Sequence, residues 1–410
     1  MSILKSLLCF FWFLPYLYMS VDTYFILDNR ISSVAFKYLV LISFCCSVLL
    51  VMLWYKEFSA FYAINTAFKA LKNDNLNLLD KILSKYSIAN FIKNGKTLLD
   101  LAIVEQKDPD IVSYLLSKKA RVFYEYDDLY NLSYTLFYLS SYYNYVNEQM
   151  INYLLNQGAD INFIDSTKGF KGLSLLQVLV LRENKSAIYL LLERGADIRY
   201  NIPDIHMDAL MLASKYSEDP FIIKLLIEHG AYVNKINQNG YCAILYAAEF
   251  NPNPAIIKML VNYGAIISNY IIKEAILKEQ DVTPLFLASS YNNVEVVKKL
   301  ISLGDDVNYI NNEGISIIFV ASANNTSIDV IKALLAGGVD LDQSKDKNGN
   351  TALMVASYLN SNPNLIRYLI ERTHNLQAKN SEGFDFIDYL KENDNLNEEE
   401  KNYVLNKWLQ

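Results

Sequence analysis

The sequence predicts an all-α protein. The expected architecture is a helical solenoid of about eight to ten helix-turn-helix units with short hairpin connections, behind an N-terminal apolar helical hairpin. Three observations predict it. A phrase ending in glycine and a small residue recurs along the chain at spacings between 33 and 40 residues. A second, alanine-containing phrase precedes each copy. Glycine and proline are scarce, at 14 and 8 of 410 residues, while hydrophobic residues make up 52%. That balance argues against a turn-rich β protein and against disorder.

The N-terminal part, residues 1–57, reads as a membrane anchor with apolar segments at about 3–19 and 36–55. Residues 38–55, YLVLISFCCSVLLVMLWY, hold no charge over eighteen positions. A helix rising roughly 1.5 Å per residue nearly crosses a hydrocarbon core of roughly 30 Å with that length. Trp54, Tyr55 and Lys56 close the run as interfacial residues do. Residues 6–19, SLLCFFWFLPYLYM, are shorter and interrupted by Pro15. They read as the first leg of a hairpin or as a signal peptide with Lys5 as its charged end. Tyr18, three residues before a cut after Ser20, fits cleavage poorly and favours the uncleaved span. Lys56, Lys69 and Lys72 follow the second run, which places the body in the cytoplasm.

Residues 58–93 read as N-terminal capping helices, FSAFYAINTAFKAL and NLNLLDKILSKY, without the glycine phrase. The repeats follow over 94–381. The glycine phrase appears as LLNQGADIN, LLERGADIR, LIEHGAYVN, LVNYGAIIS, LISLGDDVN and LLAGGVDLD, with glycines 158, 195, 230, 264, 304 and 337. Diverged copies put Lys119 and Thr373 at the glycine position. The earlier phrase appears as KTLLDLA, VTPLFLA and NTALMVA, with weaker copies between. Within a unit, threonine or its substitute caps a short helix whose apolar pair and alanine face inward. A polar stretch such as Tyr291–Asn292–Asn293 breaks the chain, and a second helix follows. Glycine then supplies a left-handed cap. Gly240, Gly314 and Gly383 each fall six residues after Asn234, Asn308 and Gln377, an offset that suggests a tight hairpin turn between units. Residues 382–410 read as C-terminal capping helices. Asn397 and Glu400 form a capping box, and Trp408 is placed over the final core.

These phrases resemble the ankyrin repeat, with its period of 33 and its T-P-L-H-x-A signature. Thr283–Pro284–Leu285–Phe286–Leu287–Ala288 is the nearest copy, and the resemblance extends over about residues 60–410. The signature histidine is missing throughout. Its place holds Asp100, Tyr138, Gln177, Met211, Leu245, Phe286, Phe319, Met354 and Asp388. Packing by larger apolar groups is expected to replace its hydrogen bonds in several units. The spacing from Gly264 to Gly304 is 40 residues because NYIIKEAILKEQD, residues 269–281, is inserted in a connection.

Net charge is −7. Residues 1–57 hold four cations and three anions, so the remainder carries −8. Such a body has no footprint for phosphate backbones, and nucleic acid is excluded as a partner. His206, His229 and His374 fall in different units, and no Cys/His spacing suggests zinc. No phosphate loop or nucleophile elbow is present. The reading is therefore no enzyme, no cofactor, no metal and no small-molecule substrate. Asn, Tyr, Lys and Ile are abundant, as an AT-rich genome of the bacterial kind encodes. The resemblance implies a scaffold whose partners are proteins, held along inner helices and hairpin tips. The tips, placed by register, are Asp165, Asn237, Gln238, Asn311, Asn312, Asp346 and Lys347. The alternative is an exported effector or toxin-like protein of the same fold.

Overall fold

A computed structural model describes residues 33–105, 107–122, 132–142, 146–165, 172–267, 270–272, 280–342 and 345–408. The first apolar run, the carboxylates at 127 and 128, and most of the insertion lie outside the described residues. The chain divides into two compact units, Met1–Tyr130 and Asn131–Gln410.

The first unit contains α1 (Ser33–Lys72), α2 (Leu76–Leu83), α3 (Leu98–Val104) and α4 (Pro109–Ser117). No break separates the apolar run from the capping segment, because α1 is one helix of 40 residues. Its C-terminal third buries Ala63, Ile64, Ala67, Phe68, Ala70 and Leu71, a face with helical spacing. That face meets α2, which buries Leu79, Ile82 and Leu83. Thr97 opens α3 through a capping box with Asp100. Lys119, at a glycine position of the repeat, takes the left-handed conformation itself, with φ of 62°. Among the described residues, no helix is long and apolar enough to cross a membrane. The run 38–55 lies on α1, but many of its side chains fall outside the described set.

The second unit is a solenoid of helix pairs. The first helices are α5 (Leu132–Tyr142), α7 (Leu175–Leu181), α9 (Ala209–Tyr216), α11 (Ala243–Phe250), α13 (Pro284–Tyr291), α15 (Ile317–Asn324), α17 (Ala352–Leu359) and α19 (Phe386–Lys391). The second helices are α6 (Glu148–Asn156), α8 (Lys185–Glu193), α10 (Pro220–Glu228), α12 (Pro254–Asn262), α14 (Val294–Ser302), α16 (Ile328–Ala336), α18 (Pro363–Arg372) and α20 (Glu398–Trp408). Each first helix packs against the first helix of the next unit, and the second helices do the same from α10 onward. The first helices are therefore buried on most sides. In α11 every residue from Ala243 to Ala248 is buried. The second helices bury one stripe, such as Val296, Val297 and Leu300 of α14.

Asn or Asp followed by Pro starts four of the described second helices across the chain, at Asp108, Asp219, Asn253 and Asn362. The side chain accepts a backbone N–H, and proline needs none at the first helical position. The connections are hairpins held by single bridges, Ile164 with Ser174, Ile310 with Ser316 and Lys345 with Thr351. In the enlarged connection, β1 (Tyr270–Ile272) pairs antiparallel with β2 (Gln280–Val282).

Two repeat ends depart from the sequence reading. Gly337 was expected to be the left-handed residue, but Gly338 takes that role with φ of 104°. Gly337 stays right-handed, and a Cβ there would meet Val307 Cγ1 at 3.1 Å. At Thr373 the helix ends in extended backbone, with φ of −83° and ψ of 123°. At the C-terminus Asn397 and Glu400 exchange backbone bonds, each at 2.9 Å. Val404 is the fully buried residue of α20, while Tyr403 faces outward under Arg367, 3.9 Å from its ring centroid. The Trp408 side chain lies outside the described residues.

Candidate protein-binding surface

Four hairpin turns of the second unit share one geometry. The Asn237 Oδ1 accepts from the N–H groups of Asn239 and Tyr241 at 3.0 and 2.9 Å, and its carbonyl accepts from Gly240 at 3.1 Å. Asn311 does the same with Glu313, Ile315 and Gly314, at 3.0, 2.8 and 2.9 Å. Asp346 does so with Asn348, Asn350 and Gly349, at 2.9, 2.8 and 3.0 Å. Asn380 closes a fourth turn with Glu382, Phe384 and Gly383. These are side-chain-closed turns in which a short acceptor holds the backbone two and four residues on.

The seven predicted tip residues therefore divide. Asn237, Asn311 and Asp346 use their side chains on the turn, and Asn311 is buried. Asp165 is also buried, at 1% exposure, with its carbonyl accepting from Gly172. Gln238, Asn312 and Lys347 are exposed. Lys347 Nζ donates to the Asn312 carbonyl at 3.1 Å, which ties neighbouring tips together. The Asn312 N–H donates to Asp281 of β2 at 2.6 Å, and Tyr309 Oη donates to the same carboxylate at 2.5 Å. Burial, reinforced by Asp281, holds the Tyr309 phenol above its usual range.

The first helices contribute a second, wider surface. The last residue of each one faces solvent. At six helices that residue is large and apolar: Tyr142, Leu181, Tyr216, Phe250, Tyr291 and Leu359. Tyr216, Phe250 and Tyr291 end the consecutive helices α9, α11 and α13, with exposures of 57%, 44% and 62%. Lys215 Nζ lies 3.9 Å from the Phe250 ring centroid and 5.2 Å from that of Tyr216, a cation over two aromatic faces. A shallow depression lies between these units, lined by Lys215, Tyr216, Glu218, Pro252 and Asn253. In the sequence the column residues are the final letters of ALMLASKY, AILYAAEF, PLFLASSY and ALMVASYL, among apolar neighbours that do not set them apart.

A ladder of asparagines ties the units together behind this surface. Asn251 Nδ2 donates to the Ser217 carbonyl at 2.8 Å, and Asn292 Nδ2 to the Asn251 carbonyl at 2.9 Å. Asn325 donates to Asn292 at 2.9 Å, Asn360 to Asn325 at 2.9 Å, and Asn393 to Asn360 at 3.0 Å. Each also reaches a carbonyl near the end of the preceding first helix, those of Ser214, Ala248, Ser289, Ser322 and Ser357. Those carbonyls have no partner within their own helix. Sequence reasoning took Tyr291–Asn292–Asn293 for a simple break. The signal that would have revealed the ladder is an asparagine recurring two residues before the next helix cap in N-P-N, N-T-S and N-S-N.

The positions of the missing histidine take two forms. Met211, Leu245, Phe286 and Phe319 are buried apolar groups. Gln177 keeps hydrogen bonding, donating from Nε2 to the carbonyls of Tyr200 and Met207 at 3.2 and 3.3 Å. At the C-cap of a second helix, His229 Nδ1 lies 2.8 Å from the Leu225 carbonyl oxygen and Nε2 lies 3.2 Å from a Glu193 carboxylate oxygen, both of them acceptors. Among the described residues, no group of three His, Cys, Asp or Glu is placed to hold a metal ion.

A family model described as "Ankyrin repeats (3 copies)" matches residues 136–237, 210–311 and 285–380. Together these matches cover more than half of the chain. No curated protein matches it. Among solved structures, the chain is similar to the human ASB11 ankyrin repeat domain, with a TM-score of 0.47 and 20% identity, over 58% of this chain and 98% of that one. The repeat phrases, the stacked helix pairs and the family match agree, and the chain belongs to the ankyrin repeat family.

Proposed function

We propose that the chain is a membrane-anchored scaffold that binds a protein partner along the solvent-facing ends of its first helices. The column Tyr216, Phe250 and Tyr291 carries this reading. Exposed aromatic groups repeated at the same place in three successive units are what protein interfaces use as anchors, and a lone exposed residue would need no explanation. Gln238, Asn312 and Lys347 extend the contact surface along the hairpin tips. The anchor rests on the uncharged run 38–55 and on Leu49, Met52, Leu53 and Tyr55, which α1 leaves exposed. The repeats lie on the cytoplasmic side in this reading.

Proximity labelling from the repeats in the native cell tests the scaffold. The variant combining Tyr216→Ala, Phe250→Ala and Tyr291→Ala should lose the labelled partner. An anchor aromatic contributes about 2 kcal/mol, roughly a thirtyfold change in affinity for each. Unchanged capture by this variant would move the interface elsewhere. Digestion of the repeats by protease added outside intact cells would overturn the cytoplasmic placement and favour an exported effector.

A further inference from the structure

The first unit carries an apolar and basic shelf beside the helix that contains the uncharged run. Phe61 and Tyr62 of α1 are each 66% exposed, about two turns beyond the end of that run. The hairpin between α2 and α3 presents Phe91 and Ile92 at 48% and 36% exposure. Lys93 joins the two elements. Its Nζ donates to Asn65 Oδ1 at 2.6 Å and lies 5.4 Å from the Phe68 ring centroid. Asn65 in turn donates to the Phe61 carbonyl at 2.9 Å. The apolar side chains of α1 and of the hairpin therefore sit on a braced, shared edge.

Lysines dominate the charge on the hairpin side of this edge, with Glu57 one turn before Phe61 on α1 and Asp80 just before the lysine-bearing stretch. Residues 81–99 contain Lys81, Lys85, Lys93 and Lys96 and no carboxylate. Lys119 is brought beside them, because Asn90 Nδ2 donates to its carbonyl at 3.0 Å. Lys96 and Lys119 are both exposed. A cationic edge on a chain of net charge −7 marks a local partner of opposite sign. Large apolar side chains flanked by lysines suit the boundary between acyl chains and anionic headgroups.

We infer that the Phe91–Lys96 hairpin, together with Phe61 and Tyr62, docks onto an anionic lipid bilayer surface. This rests on the anchored reading above and adds to it. Because α1 runs unbroken from the uncharged run to the buried Leu71, the first unit meets the membrane without a flexible link. The bilayer is favoured over a protein because the shelf adjoins the uncharged run on the same helix. Tyr62 lies seven residues beyond Tyr55, about 10 Å along the axis, within reach of the headgroup layer.

The test uses the full chain in vesicles of phosphatidylcholine, with and without roughly one-third phosphatidylserine. Ile92→Cys carries an environment-sensitive fluorophore. In anionic vesicles its emission should shift to the blue, and lipids with a quencher near the headgroup should quench it. Lys96→Gln combined with Lys119→Gln should lower the docked-to-free ratio by roughly fivefold per lysine, and high salt should lower it as well. An alkaline wash separates the two levels. Retention on the vesicles without lipid quenching would overturn docking alone. Shielding from a soluble quencher without lipid quenching would assign the shelf to a second copy and overturn docking too. Release by the wash would overturn the anchor and this inference together.

Discussion

The side chain of Asn360 reaches back one repeat and donates from Nδ2 to the backbone carbonyl of Asn325 at 2.9 Å. It also donates to the Ser322 carbonyl at 2.8 Å, and its own Oδ1 accepts from the Asn362 N–H at 2.9 Å. Only 1% of Asn360 is exposed, so no water replaces these bonds cheaply. Asn360→Ala leaves two buried carbonyls without donors and should cost about 2–4 kcal/mol in urea unfolding. Asn360→Asp keeps the shape but removes the donor and buries a charge, and should cost more. Equal stability of both variants and the parent would show that the ladder holds nothing.

Four buried serines should behave in the opposite way. Ser214, Ser289, Ser322 and Ser357 lie at the same place in their first helices, are fully buried, and leave their hydroxyls without a partner among the described residues. Ala248 occupies that place in α11. Serine to alanine at any of the four should raise stability by about 1 kcal/mol, because it removes an unsatisfied polar atom without leaving a large cavity. A loss of stability would reveal an ordered water on the hydroxyl.

Asn311 lacks a partner that its counterparts have. Asn237 Nδ2 donates to Tyr246 Oη at 3.0 Å, and Asn380 Nδ2 to Tyr389 Oη at 2.9 Å, each nine residues on. Nine residues after Asn311 stands Val320, and the buried Asn311 Nδ2 has no partner among the described residues. Val320→Tyr should restore the bond and stabilise the protein by about 1 kcal/mol. Tyr389→Phe should cost a similar amount. Calorimetric melting of the two variants reads both changes.

Asp305 gives the stack a pH dependence of unusual sign. It occupies a position where neighbouring units have Ala159, Ala196, Ala231 and Ala265. Its carboxylate accepts the Leu285 N–H at 2.7 Å, yet burial pushes its pKa up from 3.8 to about 6. The folded state therefore holds its proton to higher pH than the unfolded state. Stability from this group is fully present below pH 3.8 and is lost as pH rises to about 6. That difference between the two states corresponds to about 3 kcal/mol. Asp219 and Asp388, whose pKa values are lowered by hydrogen bonds, change stability in the opposite direction and below pH 3.8. The stability of the parent minus that of Asp305→Asn, measured between pH 4 and 7, should fall as pH rises. A flat difference would show that the carboxylate is charged in both states.

Much of this fold was legible in the sequence because a repeat states its rule many times. Thr97, Thr283 and Thr351 cap their helices as the phrases required, and Gly158, Gly195, Gly230, Gly264 and Gly304 are left-handed. The one-residue displacement to Gly338 was not legible, because adjacent glycines satisfy the phrase equally. The surface was harder to read. Turn position marks Asn237, Asn311 and Asp346 as tips, but the same hydrogen-bonding capacity that suits a partner closes their own turns. The aromatic column escaped notice because the first helices are covered on most sides. Their apolar letters give no period that separates Tyr291 from the buried Phe286 five residues before it.

The asparagine ladder also has a direction. Every rung is donated by the later unit and received by the earlier one. A chain synthesised from its N-terminus thus exposes carbonyls that water can serve while the next unit is still emerging. Each arriving unit brings the donor that closes the seam behind it. Within the ladder, trimming units from the C-terminus uncovers carbonyl acceptors, whereas removing them from the N-terminus uncovers the amide donors of the next unit. The seam left by shortening therefore has a polarity, with carbonyls at one end of the array and amide donors at the other.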